Sequence, residues 1–177
     1  FNIDPSSIER AINSKTKSII PVHLFCQSAD IEQILAISKK NNLFVVEDNA
    51  QAIGADYIFS DGTKAKTGTL GNISATSFFP SKNLGAYGDG GAIITNDDDL
   101  AHFIRGIVNH GMYKRYYHDE VGVNSRLDSL QAAVLKVKLK YLDFYNERRK
   151  EAAIFYTTLL RDHPKIITPF RKRNCNS

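Results

Sequence analysis

The amino-acid sequence predicts an α/β protein with a mainly parallel β-sheet and flanking helices. Short apolar runs of strand length alternate along the chain with longer stretches of helical spacing, which is the order of elements in a parallel α/β sheet. The apolar runs also lack polar alternation, as strands buried on both faces do. The composition, 42% hydrophobic and 24% charged, is that of a globular domain.

The first part of the chain is expected to contain two helices and two buried strands. Ser6 and Glu9 have the spacing of a capping box and predict a short helix that Ser6 caps. An apolar run over residues 18–24 predicts a strand, although Pro21 is unfavourable inside a central strand because it has no N–H to donate. The same reasoning predicts a helix over residues 31–42 and a strand over residues 43–48.

The second part begins with turn signals and ends in a long helical stretch. The pairs Asp61-Gly62 and Thr67-Gly68 predict a hairpin or loop within residues 54–72. Strands are predicted over residues 75–79 and 90–95, and helices over residues 100–108 and 127–160. The spacing of the last stretch drifts near Tyr141, so it is either two helices or one bent helix.

Charge and cysteine content argue against several classes of protein. The net charge is a mild +4, and the basic run from Lys165 to Arg173 is interpreted as a solvated tail rather than a nucleic-acid patch. Cys26 and Cys175 lie far apart in sequence, which disfavours a disulfide framework or thiolate metal site and fits a cytoplasmic location. No apolar run approaches the roughly 18 residues of a membrane span. Because the chain opens on Phe1 and not on Met, we expect a piece of a longer protein.

Two ionisable residues lie where a parallel sheet binds its ligands, at the carboxyl ends of strands. Asp48 ends one predicted strand and Lys82 follows another. Two strand ends can bring a carboxylate and an amine to opposite sides of one planar ring. Pyridoxal-phosphate chemistry needs such a pair: a lysine that holds the cofactor as a Schiff base and an acid beside the pyridine nitrogen, together with donors for the phosphate. Taken alone, the aspartate is more often a cap or turn residue, and the lysine is more often solvated.

Four segments around these residues resemble the DegT/DnrJ-type nucleotide-sugar aminotransferases, which have the type I aspartate-aminotransferase fold. They are residues 20–25, 46–55, 76–92 and 121–133, in the family's order. The resemblance covers residues 1 to about 165 and implies an incomplete pyridoxal-phosphate-binding large domain over residues 1–165. Residues 166–177 are then a tail or the start of a smaller domain.

The resemblance implies a role for each residue that matches the family's cofactor site. Lys82 is the Schiff-base lysine, which also moves a proton between the substrate carbon and the cofactor. Asp48 pairs with the protonated pyridine nitrogen. Gln51 lies beside the ring, and Ser77 donates its hydroxyl to the phosphate.

Other residues are assigned to the edges of the site. Asn124 is expected to reach the phosphate of a neighbouring subunit's cofactor, so the full-length protein is expected to be a homodimer. Arg126 is expected near that shared site as a substrate-binding residue. His23 is either a neighbour of the cofactor or a structural residue. Cys26 stands where the family usually has glycine, which changes the loop after the strand.

The implied activity is transfer of an amino group from an amino acid, Glu or Gln, to a keto-sugar nucleotide in polysaccharide or amino-sugar biosynthesis. The partners are therefore small molecules, with no metal, nucleic acid or membrane expected. Two alternatives stay open. The first is a related sugar dehydratase, but those enzymes carry histidine in place of the lysine, so Lys82 argues against it. The second is an inactive fragment or a regulatory relative. Among sugar substrates, the segments around Lys82 and residues 118–126 look most like enzymes that aminate C3 of UDP-3-keto hexuronic acids.

Overall fold

The computed structural model describes residues 1–172 and 174–176 of the chain. Its helices are α1 (Pro5–Ala11), α2 (Ile31–Asn41), α3 (Asp98–Ile107), α4 (Ser129–Leu139) and α5 (Leu142–Leu160), with a short 3₁₀ helix at Leu24–Cys26. The strands are β1 (Ser18–Ile19), β2 (Phe44–Asp48), β3 (Asp56–Ile58), β4 (Lys64–Lys66), β5 (Ile73–Ser77), β6 (Gly91–Ile94), β7 (Met112–Lys114), β8 (Tyr117–His118) and β9 (Cys175–Asn176).

The central sheet has the strand order β1-β2-β5-β6. β1, β2 and β5 run parallel to one another, and β6 runs antiparallel to β5. Asp48 lies opposite Ala75, and Ser77 lies opposite Gly91. The α/β class with a mainly parallel sheet is therefore confirmed.

The hydrophobic core lies between this sheet and the first two helices. Its fully buried members include Ile31, Ile34, Val45 and Tyr57. The isoleucines stand three positions apart on α2, so one face of that helix packs on the sheet. The helix ends at Asn42, which adopts the left-handed conformation that asparagine tolerates at a helix end.

Two local predictions need correction. The capping residue of α1 is Asp4, not Ser6, because the Asp4 carboxylate accepts the backbone N–H groups of Ser6 and Ser7 and Pro5 opens the helix. The strand predicted over residues 18–24 is two residues long. Beyond it the chain pairs with β2 only through an isolated bridge from Val22 to Asp48, as expected for a segment that Pro21 interrupts.

The turn-rich segment forms the predicted hairpin, since β3 pairs antiparallel with β4. The end of the chain adds β9 to the other edge of β3. Two further contacts hold this end of the chain: the Lys172 N–H donates to Gln27 Oε1 at 2.6 Å, and Cys175 Sγ lies 3.6 Å from the Cys26 carbonyl oxygen. Within the basic run, Lys165 and Arg171 are exposed, as expected for a solvated segment. Arg173, the last residue of the basic run, and Ser177 lie outside the described residues.

The long helical stretch is two helices, α4 and α5, with the break at Lys140–Tyr141 where the spacing drifts. Leu135 and Leu142, one from each helix, are buried against Leu84 and Ala86 of the loop after β5. Both helices therefore pack on the loop that contains Lys82. None of the helices in the described part of the chain has the length and apolar character to cross a bilayer.

Candidate active site

One face of the central sheet is open at the carboxyl ends of β2 and β5. Paired residues of neighbouring strands share a face and side chains alternate along each strand, so Asp48, Ala75 and Ser77 face the same side. Ala75 is exposed although β5 has a neighbouring strand on each side. On the opposite face Ser74 and Thr76 are buried. On this open face, called the floor below, the small side chain of Ala75 lies next to the Asp48 carboxylate and two residues before the Ser77 hydroxyl, with Ile93 of β6 on its other side.

Both polar groups on this floor have unused hydrogen-bonding capacity. Asp48 Oδ1 accepts the Ala50 N–H at 3.0 Å, whereas Oδ2 has no hydrogen-bond partner within the described residues. Ser77 Oγ accepts the Phe79 N–H at 3.2 Å, and its hydroxyl hydrogen has no acceptor in the described part of the chain. One carboxylate oxygen and one hydroxyl donor are therefore available to a ligand.

Lys82 lies in the loop that leaves β5 toward the same edge of the sheet. Its backbone N–H donates to the Phe79 carbonyl at 2.9 Å, and its side chain is half-buried. Its Nζ makes no hydrogen bond or ion pair with any residue in the ranges 1–172 and 174–176. An uncommitted, half-buried amine is available for chemistry.

Side chains from α4 hold the far part of this loop. Gln131 Oε1 accepts the Tyr87 N–H at 2.8 Å, and Lys138 Nζ donates to the Gly85 carbonyl. A Cβ on Gly85 would lie 2.3 Å from the Pro80 carbonyl oxygen, so no other residue fits this turn without moving the backbone. The position of Lys82 is thus set by a tight turn and by a helix more than forty residues further along the chain.

A cleft of about 1090 Å³ brings Lys82 together with Gln51. Gln51 is held by the neighbouring loop, since its Oε1 accepts the Phe25 N–H at 3.2 Å and its carbonyl accepts the Cys26 N–H at 3.0 Å. Five cationic side chains and no carboxylate line the cleft within the described ranges; the cations are Lys82, Arg149, Lys150, Arg171 and Lys172. Asp48, Ser77, Asn124 and Arg126 are not part of this lining.

The loop before the cleft has two non-glycine residues in the left-handed conformation. Phe25 has φ +53° and Cys26 has φ +62°. Such a conformation costs an L-residue on the order of 1 kcal/mol, which glycine avoids. This gives a physical reason for the glycine that the family resemblance leads one to expect at position 26.

Asn124 and Arg126 lie together and are not among the residues that line the cleft. Both are exposed, and Arg126 Nε donates to Asn124 Oδ1 at 3.1 Å. Their segment is fixed on the end of α3 by backbone hydrogen bonds from Val123 to Ile107 and from Ser125 to Val108. The structure therefore does not bring this pair to the cleft of its own chain.

His23 is a core residue in this structure. It is fully buried, its Nε2 lies 2.8 Å from Glu47 Oε2, and its Nδ1 accepts the Ala29 N–H at 3.0 Å. The ring therefore has its hydrogen on Nε2 and donates it to the glutamate. Of the two interpretations of His23, the structure supports the structural one.

The sequence analysis missed Glu47, the partner of His23. Its carboxylate also accepts the backbone N–H groups of Gly68, Leu70 and Gly71 at 2.6–2.8 Å. Burial by itself would raise the pKa of Glu47, but the hydrogen bonds from His23 and the three backbone groups lower it below its ordinary value. The available signal was a glutamate inside an apolar run of strand length.

The fold is that of the pyridoxal-phosphate-dependent aminotransferases. Residues 1–176 match the model of the DegT/DnrJ/EryC1/StrS aminotransferase family, so the chain belongs to this family. The family membership that the four segments implied is thereby confirmed.

Named relatives and a solved structure are similar over nearly the whole chain. A pleiotropic regulatory protein from Geobacillus stearothermophilus is 54% identical, covering 96% of this chain and 45% of its own. UDP-2-acetamido-2-deoxy-3-oxo-D-glucuronate aminotransferase from Pseudomonas aeruginosa is 49% identical, covering 98% of this chain and 47% of its own. The crystal structure of S. venezuelae DesV in complex with a ketimine intermediate superposes with a TM-score of 0.92 at 40% identity, covering 99% of this chain and 46% of that one. The chain therefore spans about half the length of the relatives it matches.

Proposed function

We propose that the protein containing this chain is a pyridoxal-phosphate-dependent aminotransferase that transfers an amino group from an amino acid, Glu or Gln, to a keto-sugar nucleotide. The observation that carries the proposal is the uncommitted amine of Lys82, which shares a cleft with Gln51 on a loop that leaves the strand next to Asp48. The family is one of pyridoxal-phosphate-dependent aminotransferases.

The residues present fit this cofactor. The exposed position of Ala75 supports room for a flat ring above β5, because its side chain is a single methyl group. Asp48 Oδ2 is available for a protonated ring nitrogen, and the Ser77 hydroxyl is available for a phosphate oxygen. The donor set matches the three requirements of the cofactor: an amine, an acid and a phosphate donor.

When bound, the cofactor supplies an electron sink for charge that develops on the substrate carbon. The chain's own residues do the rest. The Asp48 carboxylate holds a proton on the ring nitrogen, because a negative charge beside that nitrogen favours its protonated form. The Lys82 amine holds the cofactor and, once released from it, takes a proton from the substrate carbon and delivers it again. Ser77 donates to the phosphate, and Gln51 lies beside the ring.

The charge of the cleft supports an anionic substrate. Five cations line it without a carboxylate among the described residues, and a cleft of one sign concentrates ligands of the other. A sugar nucleotide carries its negative charge on phosphates, which arginine and lysine bind well. Relatives named for UDP-linked and dTDP-linked amino sugars support the same substrate class.

Assembly, location and extent follow the same proposal. The protein is a cytoplasmic homodimer in which Asn124 reaches the phosphate of the partner's cofactor and Arg126 lies by the substrate. Support comes from the exposure of this pair and from its absence from the cleft lining of its own chain. Residues 1–165 belong to the cofactor-binding large domain, and residues 166–177 are a tail or the start of a smaller one.

A non-enzymatic regulatory role is the second candidate, because the relative from G. stearothermophilus has a regulatory name. The two candidates differ at Lys82. An aminotransferase holds its cofactor on this lysine through a reversible C=N bond. Borohydride reduction of the loaded protein makes that linkage to Lys82 permanent. A regulatory protein that has lost the cofactor gives an unmodified Lys82 in the same peptide mass measurement.

The catalytic test uses variants of the intact protein. We expect Lys82→Ala to lower single-turnover conversion of the bound cofactor to its amino form by about 10³-fold or more, since both the attachment and the proton transfer are lost. Asp48→Asn is expected to lower it by about 10²-fold, because the charge beside the ring nitrogen is lost. Lys40→Ala, at an exposed lysine on α2, is the control and should retain wild-type conversion. Near-normal conversion by the Lys82→Ala protein would reject Lys82 as the catalytic lysine.

A further inference from the structure

Three loops that follow parallel strand segments meet around a pair of asparagines. The side-chain amide of Asn83, the residue after Lys82, donates to Asn146 Oδ1 at 2.7 Å and to Cys26 Sγ at 3.3 Å. Asn146, on α5, uses its own amide to donate to the Ile53 carbonyl at 3.1 Å. An amide nitrogen has two hydrogens, so Asn83 can make both of its bonds at once.

The Asn146 side chain therefore spans from one functional loop to the other. Its oxygen holds the Lys82 loop and its nitrogen holds the turn that follows Gln51 by two residues. The approach is close: a Cβ on Gly54 would lie 2.7 Å from Asn146 Nδ2, and Gly54 has φ +88°. A longer or shorter side chain at position 146 would break one of the two bonds.

We propose that Asn146 is a positioning residue that fixes the Lys82 loop relative to the Gln51 loop and thereby sets where the Lys82 amine lies in the cleft. The inference rests on the proposed function, since it assigns significance to the position of that amine. Asn83 and Asn146 both line the cleft. They act through Lys82 and are not assigned a contact with substrate. Because the Lys82 Nζ has no partner among the described residues, its place depends on the loop that carries it.

The test measures how fast Lys82 becomes attached to the cofactor. Cofactor-free intact protein is mixed with pyridoxal phosphate, reduced with borohydride at timed intervals, and the modified Lys82 peptide is quantified by mass. Asn146→Ala and Asn83→Ala are each expected to slow attachment by about tenfold, since both lose the Asn83–Asn146 hydrogen bond that holds the loop in place. The double variant is expected to slow attachment by less than the product of the two single effects, because both changes remove the shared Asn83–Asn146 bond.

The control is Asn41→Ala. Asn41 also lies on a helix and makes one side-chain bond, to the Ile37 carbonyl at 2.9 Å, but it is not part of the cleft. It should attach the cofactor at the wild-type rate. A residue with a purely structural role would lower the melting temperature without changing this rate. If Asn146→Ala does not fold, Asn83→Ala removes the same bridge from the loop side and decides the question.

The outcomes separate the two proposals. Wild-type attachment rates in both asparagine variants would overturn the positioning role. Attachment of the cofactor to Lys82 in the unaltered protein would still support the proposed function. If the unaltered protein shows no modification of Lys82, the proposed function fails and the positioning role fails with it. A second measurement, the pH dependence of the visible absorbance of the bound cofactor, should shift in both asparagine variants and not in Asn41→Ala.

Discussion

Glu47 and Asp48 are consecutive residues of β2 that face opposite sides of the sheet. Glu47 points into the core, where His23 and three backbone N–H groups surround its carboxylate. Asp48 points to the open face, where one carboxylate oxygen is unused among the described residues. Of these two neighbouring carboxylates, that of Glu47 stabilises the fold and that of Asp48 is available for chemistry.

Glu47→Ala should destabilise the chain by about 3 kcal/mol or more, because it leaves buried donors without a partner. Urea unfolding at neutral pH measures this, with Glu9→Ala as the control at an exposed glutamate paired at 3.5 Å with Lys40. A urea midpoint for Glu47→Ala close to that of Glu9→Ala would contradict the assigned role.

The stabilisation by Glu47 should also depend on pH. Its pKa in the folded chain lies below the ordinary value of 4.5, so the ionised group stabilises the fold above that value. The stabilisation is lost as the pH falls through the folded pKa. The difference in unfolding free energy between wild type and Glu47→Gln should therefore be constant near neutral pH and shrink below about pH 4.5. A difference that grows on acidification would reverse the assigned sign.

At the scale of elements, the loops after β2 and β5 depend on helices that come much later in the chain. α4 holds the Lys82 loop at Tyr87 and Gly85, and α5 holds it at Asn83. These helices show little apolar periodicity of their own, and each has one buried residue, Leu135 and Leu142. Both helices therefore contact the loop that carries the candidate lysine, and α5 also contacts the loop after Gln51.

Gly85 and Gly62 are glycine for different reasons. At Gly85 a side chain would clash with the backbone, whereas at Gly62 only the positive φ disfavours other residues. Gly85→Ala should displace the Lys82 loop, because the added Cβ would meet the Pro80 carbonyl oxygen at 2.3 Å. Gly62→Ala adds a Cβ in open space at φ +86°, so it should cost only about 1 kcal/mol from the backbone and leave cofactor attachment unchanged. The measurement is the borohydride-trapped yield at Lys82 in each folded variant. Equal yields from both would show that the tight turn does not position the lysine.

At the scale of the whole molecule, the Asn124–Arg126 pair is exposed and is not part of the cleft lining of its own chain. If Asn124 serves the partner's cofactor, each complete site needs two chains. Lys82→Ala and Asn124→Ala subunits would then complement each other. In a hybrid dimer, one site has both changes and the other has neither.

The Lys82→Ala and Asn124→Ala proteins are refolded together in equal amounts. About half of the dimers are then hybrids, and each hybrid has one intact site of two. We therefore expect the mixture to recover about a quarter of wild-type activity. Unmixed variants refolded in parallel are the control. Activity no higher than the mean of the two unmixed variants, or a monomeric active protein in sedimentation, would exclude a shared site.

Much of the architecture was determined by the sequence itself. Strand-length apolar runs, the turn pairs around Asp61-Gly62, and the drift near Tyr141 each predicted an element that the structure contains. These features are local, because propensity and periodicity act over a few residues. Family membership likewise followed from short segments that include Asp48 and Lys82, although their roles stay predictions.

The tertiary structure decided what depends on distant partners. The structural role of His23 depends on its contact with Glu47, which lies 24 residues further along the chain. The role proposed for Asn146 depends on hydrogen bonds with residues 63 and 93 positions earlier in the chain. The last strand, β9, pairs with β3 because that edge offers unpaired backbone groups. Local sequence patterns do not encode such pairings, because hydrogen bonds between distant segments form only once packing has brought them together.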